Sequence, residues 1–445
     1  MTSPSTEQVS PHTLRKVIIA AGIGNFVEWF DFAVYGFLAT TIAQQFFPSG
    51  DTSAALLKTF AVFAVAFAFR PLGGVFFGML GDRIGRKRTL AMTILLMAGA
   101  TTLIGLLPTY AAIGVAAPIL LSLIRCAQGF SAGGEYAGAC AYLMEHAPSD
   151  KRAWYGSFVP VSTFSAFAAA AVVAYALEAS LSAEAMGSWG WRLPFLIAAP
   201  LGLVGLYLRW KLDETPAFQA VKQEHAVAHS PLKETLRNHG AAICCLGAFV
   251  SLTALSFYMF TTYFATYLQV AGGLSRAMAL LVSLIALIFA AAICPLAGLY
   301  SDRVGRRVTV MTACALLIVV VYPSFLMASS GSFAASVVGV MLLAVGAVLC
   351  GVVTAALLSE TFPTRTRYTA SAITYNMAYT IFGGTAPLMA TWLISTTGSN
   401  LSPAFYLIAV ALLALAGGLA LPETSRISLH DVGPQEKVPA PLLSR

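Results

Sequence analysis

The chain has 445 residues, of which 58% are hydrophobic and only 10% are charged, and its mean hydropathy is +0.78. Soluble domains carry about 25% charged residues, so this composition excludes an ordinary soluble protein and predicts a membrane protein. The formal net charge of +7 does not indicate nucleic-acid binding, because the positions of the cations explain it in another way.

A helix needs about 20 apolar residues to cross a bilayer core, and the chain contains twelve such runs. The first half has runs at 17–46, 56–80, 89–108, 114–144, 154–178 and 192–209. The second half has runs at 240–268, 277–300, 308–328, 333–359, 368–396 and 403–421. The predicted fold is an all-α membrane protein with twelve transmembrane helices in two pseudo-symmetric six-helix halves. The predicted segments are an N-terminus 1–16, a bundle 17–209, a linker 210–239, a bundle 240–421 and a tail 422–445.

Lysine and arginine set the orientation of such a protein, because cytoplasmic loops carry an excess of both. Most of the 26 cations fall in segments that share one side when both termini lie on that side. Only Lys58, Arg192 and Arg276 fall near the opposite ends of the runs. This asymmetry predicts a multi-pass protein with both termini in the cytoplasm, and we expect the membrane to be a bacterial inner membrane.

A charged turn occurs twice between apolar runs, as GDRIGRKR at 81–88 and as SDRVGRRV at 301–308. Gly85 permits a tight reversal between helices, and Asp82 can accept hydrogen bonds from a neighbouring helix terminus or pair with an arginine. In a second internal match, Glu145 of the first half corresponds to Glu360 of the second half. Repeats of this kind indicate two parallel halves.

Several motifs together resemble one family of transporters. They are GNFVEWFDFAVYGF (24–37), FRPLGG (69–74), RCAQGFSAGGEYAGA (125–139), WGWRLPF (189–195), LDETPAF (212–218), ETFPTRTRYTA (360–370) and FGGTAP (382–387). With the two charged turns, they resemble the metabolite:proton symporter family of the major facilitator superfamily. That resemblance implies that the turns gate the inner side by tying helix 2 to helix 11. The expected gating residues are Gly81, Asp82, Arg83, Gly85, Arg86, Asp302, Arg303 and Gly305. The alternative is that these cations only set the topology.

Charges inside membrane helices are costly, so they are read first as functional. They are Glu28, Asp31, Arg70, Arg125 and Glu135. At 1.5 Å per residue, all but Arg125 are expected in one layer near the membrane midplane, with Arg125 about 15 Å further out. We expect Asp31 or Glu135 to carry a coupled proton, together with Glu28, and the two arginines to regulate it or to anchor substrate. The alternative is a permanent ion pair that only fixes helix packing.

Other residues of the fourth run complete the expected site and its packing. Arg125, Gln128 and Gly129 resemble a superfamily motif associated with proton-linked transport. The glycines of this run, Gly129, Gly133, Gly134 and Gly138, are expected to let a neighbouring helix approach closely.

Aromatic residues on three runs give the main indication of substrate. Those expected to contact it are Trp29, Tyr35, Tyr258, Tyr375 and Tyr379. Aromatic faces attract protonated or quaternary amines, and arginine binds carboxylates through two hydrogen bonds. These features predict a symporter that imports a zwitterionic osmolyte such as proline or a betaine by alternating access. The alternative substrate is an organic carboxylate of the 2-oxoglutarate, citrate or shikimate type.

Other classes of protein are less well supported by the sequence. The chain lacks a phosphate-binding loop of the G-x-x-x-x-G-K-[ST] type and any metalloenzyme spacing, so we expect neither a pump driven by ATP nor an enzyme. We expect no catalytic residue, no metal site and no cofactor beyond the proton gradient. The expected partners are a small-molecule substrate, protons and the lipid bilayer, around a monomer. A channel remains the second class to test.

Overall fold

A computed structural model describes residues 11–48, 52–211, 231–364 and 366–425, together with 427 and 429. Parts of three predicted segments lie outside the described residues, namely 1–10 of the N-terminus, 212–230 of the linker and 430–445 of the tail. Residues up to 211 are called the first half below, and residues from 231 onward the second half.

The described residues form twelve principal helices. They are α1 Pro11–Phe37, α2 Thr52–Ile84, α3 Arg86–Leu106, α4 Ala116–His146, α5 Phe158–Ser180, α6 Ala198–Trp210, α7 Pro231–Tyr258, α8 Arg276–Val304, α9 Arg306–Ala328, α10 Phe333–Glu360, α11 Arg367–Ala378 and α12 Ser402–Leu419. Short helices lie between them at Ala39–Phe46, Tyr110–Ile113, Arg152–Gly156, Ala183–Ser188 and Leu193–Leu196, with a 3-10 turn at Gly190–Arg192. Helix α7 continues through a π-helical turn, Met259–Tyr263, into Phe264–Val270, and α11 continues through Tyr379–Gly383 and then Ala386–Thr397.

The predicted membrane fold is confirmed, with differences at the ends of helices. Helix α1 already includes Pro11, within the predicted N-terminal segment, and α7 already includes Pro231, within the predicted linker. The first predicted run is two helices, because α1 ends at Phe37 and a short helix follows from Ala39. Apolar composition predicts the run, but it does not predict that the helix is interrupted between Phe37 and Ala39.

Eleven helices of the described chain are long and apolar enough to cross a membrane. The remaining principal helix, α4, has 31 residues, which is about 46 Å at 1.5 Å per residue. Its length is ample, and Arg125, Gln128 and Glu135 lower its hydropathy. The outer surface of the bundle is apolar, with Leu123 60% exposed and Val319 70% exposed. Apolar surface with internally paired backbone is what lipid requires.

Helices α2 and α4 approach each other backbone to backbone. A Cβ atom on Gly129 would lie 1.8 Å from the carbonyl oxygen of Ala66, and one on Gly73 would lie 1.7 Å from that of Phe130. At a third point of this contact, a Cβ on Gly133 would lie 2.2 Å from the carbonyl oxygen of Arg70. The structure therefore confirms the packing role predicted for the α4 glycines, and this contact fixes the height of Arg70 against α4.

The two repeated turns have the same backbone form. Gly85 between α2 and α3 has φ 106°, and Gly305 between α8 and α9 has φ 93°. Side chains rarely adopt these values, and glycine adopts them freely. We call the end of the bundle that carries these turns the inner end, because the positive charge of the sequence gathers there.

Candidate functional site

Asp31 on α1 and Arg125 on α4 form a buried ion pair. Arg125 Nη1 donates to Asp31 Oδ2 at 2.9 Å and to Gln128 Oε1 at 2.8 Å. Gln128 Nε2 in turn donates to Thr101 Oγ1 on α3 at 2.9 Å. The guanidinium also lies 4.1 Å from the ring centre of Tyr35. The structure thus brings together four residues that the sequence singled out, and adds Thr101.

Glu28 and Arg70 form a second buried pair, between α1 and α2. Arg70 Nη2 donates to Glu28 Oε1 at 3.2 Å. An aromatic surround encloses the guanidinium, whose carbon lies 5.5 to 6.0 Å from the ring centres of Trp29, Phe32, Phe67 and Tyr379. Cations are attracted to ring faces at such distances, so the surround offsets part of the cost of burying the charge.

Asn376 on α11 connects the second pair to the other half of the protein. Its Oδ1 accepts a hydrogen bond from Arg70 Nε at 3.3 Å, and its Nδ2 donates to the carbonyl oxygen of Gly133 at 2.6 Å. The amide occupies space that a side chain at Gly74 would fill, since a Cβ there would lie 2.6 Å from Nδ2. The sequence prediction did not include Asn376 in the site, because a single neutral amide in a membrane helix is too common to stand out.

Glu135 on α4 has a different environment from the other two carboxylates. Thr93 Oγ1 on α3 donates to Glu135 Oε2 at 2.5 Å, and only 3% of Glu135 is exposed. Thr93 carries no sequence signal for this role.

The two carboxylates of α1 belong to two different ion pairs, a distinction that the predicted layer near the midplane did not make. Glu28 and Asp31 are separated by less than one turn of α1, yet each pairs with a different arginine. Arg125 reaches Asp31 from its outer position, while Arg70 reaches Glu28. The rise per residue predicts the height of a backbone atom along the helix. It does not predict which carboxylate a long arginine side chain will pair with.

Four rings from α1, α7 and α11 form a cluster beside Arg70, which we call the four-ring cluster: Trp29, Phe257, Tyr258 and Tyr379. All six distances between their ring centres fall between 5.0 and 6.4 Å. Each ring is at most 6% exposed. Tyr375 stacks on Tyr379 at 3.9 Å. Trp29 belongs to the first half and the other rings to the second, so the cluster bridges the halves.

At the inner end, Asp82 fastens the first half to α11 of the second half. Its carboxylate accepts hydrogen bonds from Tyr368 N at 3.2 Å, Thr369 N at 2.9 Å and Thr369 Oγ1 at 2.8 Å. Arg86 Nη2 lies 3.2 Å from the same carboxylate. A carboxylate at a helix N-terminus is favourable, because it satisfies unpaired N–H groups and the helix dipole. Both contacts predicted for Asp82 are confirmed, and we call this arrangement the first inner clamp.

The first inner clamp extends to a buried glutamate at the end of α4. Glu145 Oε1 lies 2.7 Å from Arg367 Nη1 and 3.5 Å from Arg86 Nη2. Arg367 belongs to the second half, so this ion pair also joins the halves. Arg367 was missed from sequence, because a cation at an inner helix end is expected for topology alone.

The second inner clamp repeats this arrangement with the halves exchanged. Asp302 at the end of α8 accepts hydrogen bonds from Ala153 N and Trp154 N, both at 2.9 Å. Arg306 Nη1 lies 3.0 Å from Asp302, and its Nη2 lies 2.9 Å from Glu360. Arg152 approaches Glu360 at 3.7 Å. The sequence repeat is therefore a repeat of contacts between the halves.

Not every predicted gating residue takes part in these clamps in the same way. Arg83 and Arg303 are exposed, while Arg86 and Arg306 are buried. Gly81 has a packing role that its place in a turn motif did not reveal. A Cβ at Gly81 would lie 1.9 Å from the ring of Tyr368, so the glycine makes room for the aromatic residue at the start of α11.

The chain after α12 returns to the second clamp. Glu423 accepts hydrogen bonds from Arg306 N at 2.9 Å and Arg307 N at 3.0 Å, and Thr424 Oγ1 donates to Glu360 Oε2 at 2.8 Å. Partial burial acts to raise the pKa of Glu423, but the backbone hydrogen bonds outweigh it and lower that pKa from its ordinary value. The start of the predicted tail thus packs against the bundle.

The polar contacts described between the halves lie at the inner end or at mid-height. The outermost of them joins Thr380 Oγ1 on α11 to the carbonyl oxygen of Phe67 on α2 at 2.8 Å. Further inward come the Arg70–Asn376 contact and the two clamps. In this arrangement the halves are fastened together at their inner end.

Comparison with known proteins supports the same architecture. The family model described as Major Facilitator Superfamily matches residues 21–387, with a second match at 295–444. Among solved structures, the proton:xylose symporter XylE bound to 6-bromo-6-deoxy-D-glucose superposes with a TM-score of 0.76. The match covers 95% of this chain and 99% of that chain at 17% identity, so it speaks to the fold alone.

Closer relatives are found among curated transporters. The proline/betaine transporter of Salmonella typhimurium is 39% identical over 431 residues, which is 95% of this chain and 86% of that protein. The ectoine/proline transporter ProP of Corynebacterium glutamicum is 36% identical over 440 residues, which is 96% of this chain and 87% of that protein. The chain therefore belongs to the major facilitator superfamily, in the group that contains these two proteins, and it is a membrane transporter and not an enzyme.

Proposed function

We propose that this transporter is a proton-coupled symporter that imports a small zwitterionic osmolyte, such as proline or a betaine, by alternating access. The observation that carries the proposal is the juxtaposition of buried carboxylate–arginine pairs with the four-ring cluster, since Arg70 of one pair lies 5.6 Å from the ring centre of Trp29. Arginine suits the carboxylate of a zwitterion, and aromatic faces suit its cationic nitrogen. The names of the relatives, which mention proline, betaine and ectoine, support the same substrate class.

Asp31 is the first choice for the proton carrier. It is fully buried and its charge is balanced by Arg125 alone among the ion pairs described. A proton on Asp31 removes that balance and frees Arg125 to move or to take another partner, so proton binding and helix position are linked. Glu135 is the second choice, because it is a buried carboxylate on the same helix as Arg125 and accepts a hydrogen bond from Thr93.

The inner clamps supply the second element of the proposed cycle. They hold the inner end closed, and release of substrate to the cytoplasm requires both to open. The protein is proposed to lie in a bacterial inner membrane with both termini in the cytoplasm, since the excess of lysine and arginine at the inner end favours that orientation.

Neutralising the carrier is expected to uncouple transport. Asp31→Asn or Glu135→Gln should lower accumulation driven by a pH gradient by about ten-fold or more, while exchange of internal for external substrate persists, because exchange needs no net proton movement. The measurement is uptake of labelled proline, glycine betaine and 2-oxoglutarate into proteoliposomes with and without an imposed pH gradient.

Glu184→Gln is the matched control, because Glu184 is an exposed carboxylate far from these pairs in the chain. It should accumulate substrate as the wild type does. Undiminished accumulation in both the Asp31 and the Glu135 variants would contradict the assignment of the carrier. Uptake of 2-oxoglutarate in place of the zwitterions would favour the organic-carboxylate alternative, and uptake that does not saturate would favour a channel.

A further inference from the structure

Four buried polar atoms near the four-ring cluster lack a hydrogen-bond partner among the described residues. They are Arg70 Nη1, Glu28 Oε2, Tyr258 Oη and Tyr375 Oη. Each belongs to a residue that is at most 1% exposed. Burying an unpaired polar group is unfavourable, and native proteins seldom leave one without a reason such as a missing ligand or water. These four atoms lie beside one aromatic cluster, which makes that cluster a candidate binding site.

The arginine and the rings are close enough to act on one small molecule. Arg70 lies 5.6 Å from the ring centre of Trp29 and 6.0 Å from that of Tyr379, while its Nη1 has no partner in the described chain. The carboxylate and the nitrogen of an α-amino acid or a betaine are separated by one carbon atom. A molecule of that size is long enough to reach from the guanidinium to the face of a neighbouring ring.

Two π-helical turns lie at the height of the cluster. One, Met259–Tyr263, begins directly after Tyr258, and the other, Tyr379–Gly383, begins at Tyr379 itself. Such turns are rare and often mark functional sites. Gly383, within the second turn, lies against the Tyr258 ring, since a Cβ there would be 2.7 Å from Cδ2. The widened turns therefore fix the two tyrosines against each other.

From these observations we infer that the substrate carboxylate binds Arg70 while its cationic nitrogen binds the faces of Trp29, Phe257, Tyr258 and Tyr379. This inference rests on the proposed zwitterionic substrate and specifies how it is held. The rings are packed at 5.0 to 6.4 Å, which leaves no room for a methylated ammonium between them. Substrate must separate Trp29 of the first half from the three rings of the second half, so occupancy and the relative position of the halves are coupled.

The test uses ligands that each lack one charge of glycine betaine. Choline lacks the carboxylate, and 3,3-dimethylbutanoate replaces the charged nitrogen with carbon at the same shape. Equilibrium binding to purified full-length protein in detergent, at one pH and without a gradient, is measured by competition with labelled glycine betaine. In the wild type both probes should bind about ten-fold or more weakly than glycine betaine, because each loses one charged contact.

Variants then assign each charge to its partner. Arg70→Gln should reduce the preference for glycine betaine over choline to near unity and leave the preference over 3,3-dimethylbutanoate. Tyr258→Leu and Tyr379→Leu should reduce the preference for glycine betaine over 3,3-dimethylbutanoate to near unity and leave the preference over choline. Tyr322→Leu is the control, since Tyr322 is 40% exposed on α9, and both preferences should match the wild type. The ratio of two ligands within one variant does not depend on the fraction of protein that is folded.

The outcomes separate this inference from the proposed function. If the wild type binds glycine betaine and the Arg70 variant weakens glycine betaine and choline equally, the placement of the carboxylate is overturned. Unchanged preferences in both tyrosine variants overturn the placement of the nitrogen. If the wild type binds 2-oxoglutarate and neither proline nor glycine betaine, the proposed substrate class itself fails, and this inference fails with it.

Discussion

Gly129→Ala is expected to prevent accumulation of folded protein. The added Cβ would lie 1.8 Å from the carbonyl oxygen of Ala66 and 2.6 Å from its carbonyl carbon. Those atoms are backbone, so no side-chain rotation relieves the clash, and α2 and α4 must move apart by roughly 1.5 Å along a contact that depends on close approach. The expected cost is about 3 kcal/mol or more, at the upper end of overpacking.

Gly99→Ala on α3 provides the matched control. Nothing lies within 4 Å of a Cβ at that position, and alanine favours a helix over glycine by about 1 kcal/mol. The amount of monodisperse protein and its melting temperature, followed by size-exclusion chromatography after heating, should fall sharply for Gly129→Ala and stay level or rise for Gly99→Ala. A wild-type melting temperature in the Gly129 variant would contradict the close contact described for α2 and α4.

Asp82→Ala is expected to open the inner end. Removing the carboxylate leaves Arg86 without its nearest anion and leaves the Tyr368 and Thr369 N–H groups without their acceptor. Loss of one partner of a buried pair costs about 3–5 kcal/mol. If that cost falls on the closed state alone, the ratio of molecules with a closed inner end to molecules with an open one falls by about 100-fold or more.

Accessibility of a single cysteine measures this change. Ala372, fully buried on α11, is replaced by cysteine in a background without the seven native cysteines, and its rate of reaction with a maleimide is followed. The rate should rise in Asp82→Ala, and also in Asp302→Ala, which breaks the equivalent clamp. It should not change in Asp150→Ala, since Asp150 is exposed at the same end. An unaltered rate in both clamp variants would show that the clamps do not hold the inner end closed.

The sequence predicts the membrane fold well because each helix carries its own signal in apolar length. It also identifies Glu28, Asp31, Arg70, Arg125 and Glu135, because a charge in a membrane helix is costly and therefore conspicuous. The two turns were recognised because a charged segment with a glycine occurs twice between apolar runs. The structure shows that both glycines, Gly85 and Gly305, have positive φ.

The pairing of these residues could not be predicted in the same way. Height along a helix follows from residue number, but the direction of a side chain around the helix depends on packing against its neighbours. That is why Asn376 and Thr93 were missed as partners of Arg70 and Glu135. The π-helical turns also gave no signal in the local composition, and the packing of Gly383 against Tyr258 in the second turn was not foreseen.

The two inner clamps also bear on the ancestry of the protein. Asp82 of the first half caps a helix of the second half, and Asp302 of the second half caps a helix of the first. Neither half can complete a clamp alone, and the two clamps exchange the same kind of contact between the halves, as residues do across the interface of a two-fold symmetric dimer. At the inner end the chain thus has the contact pattern of a symmetric homodimer whose two subunits lie on one chain.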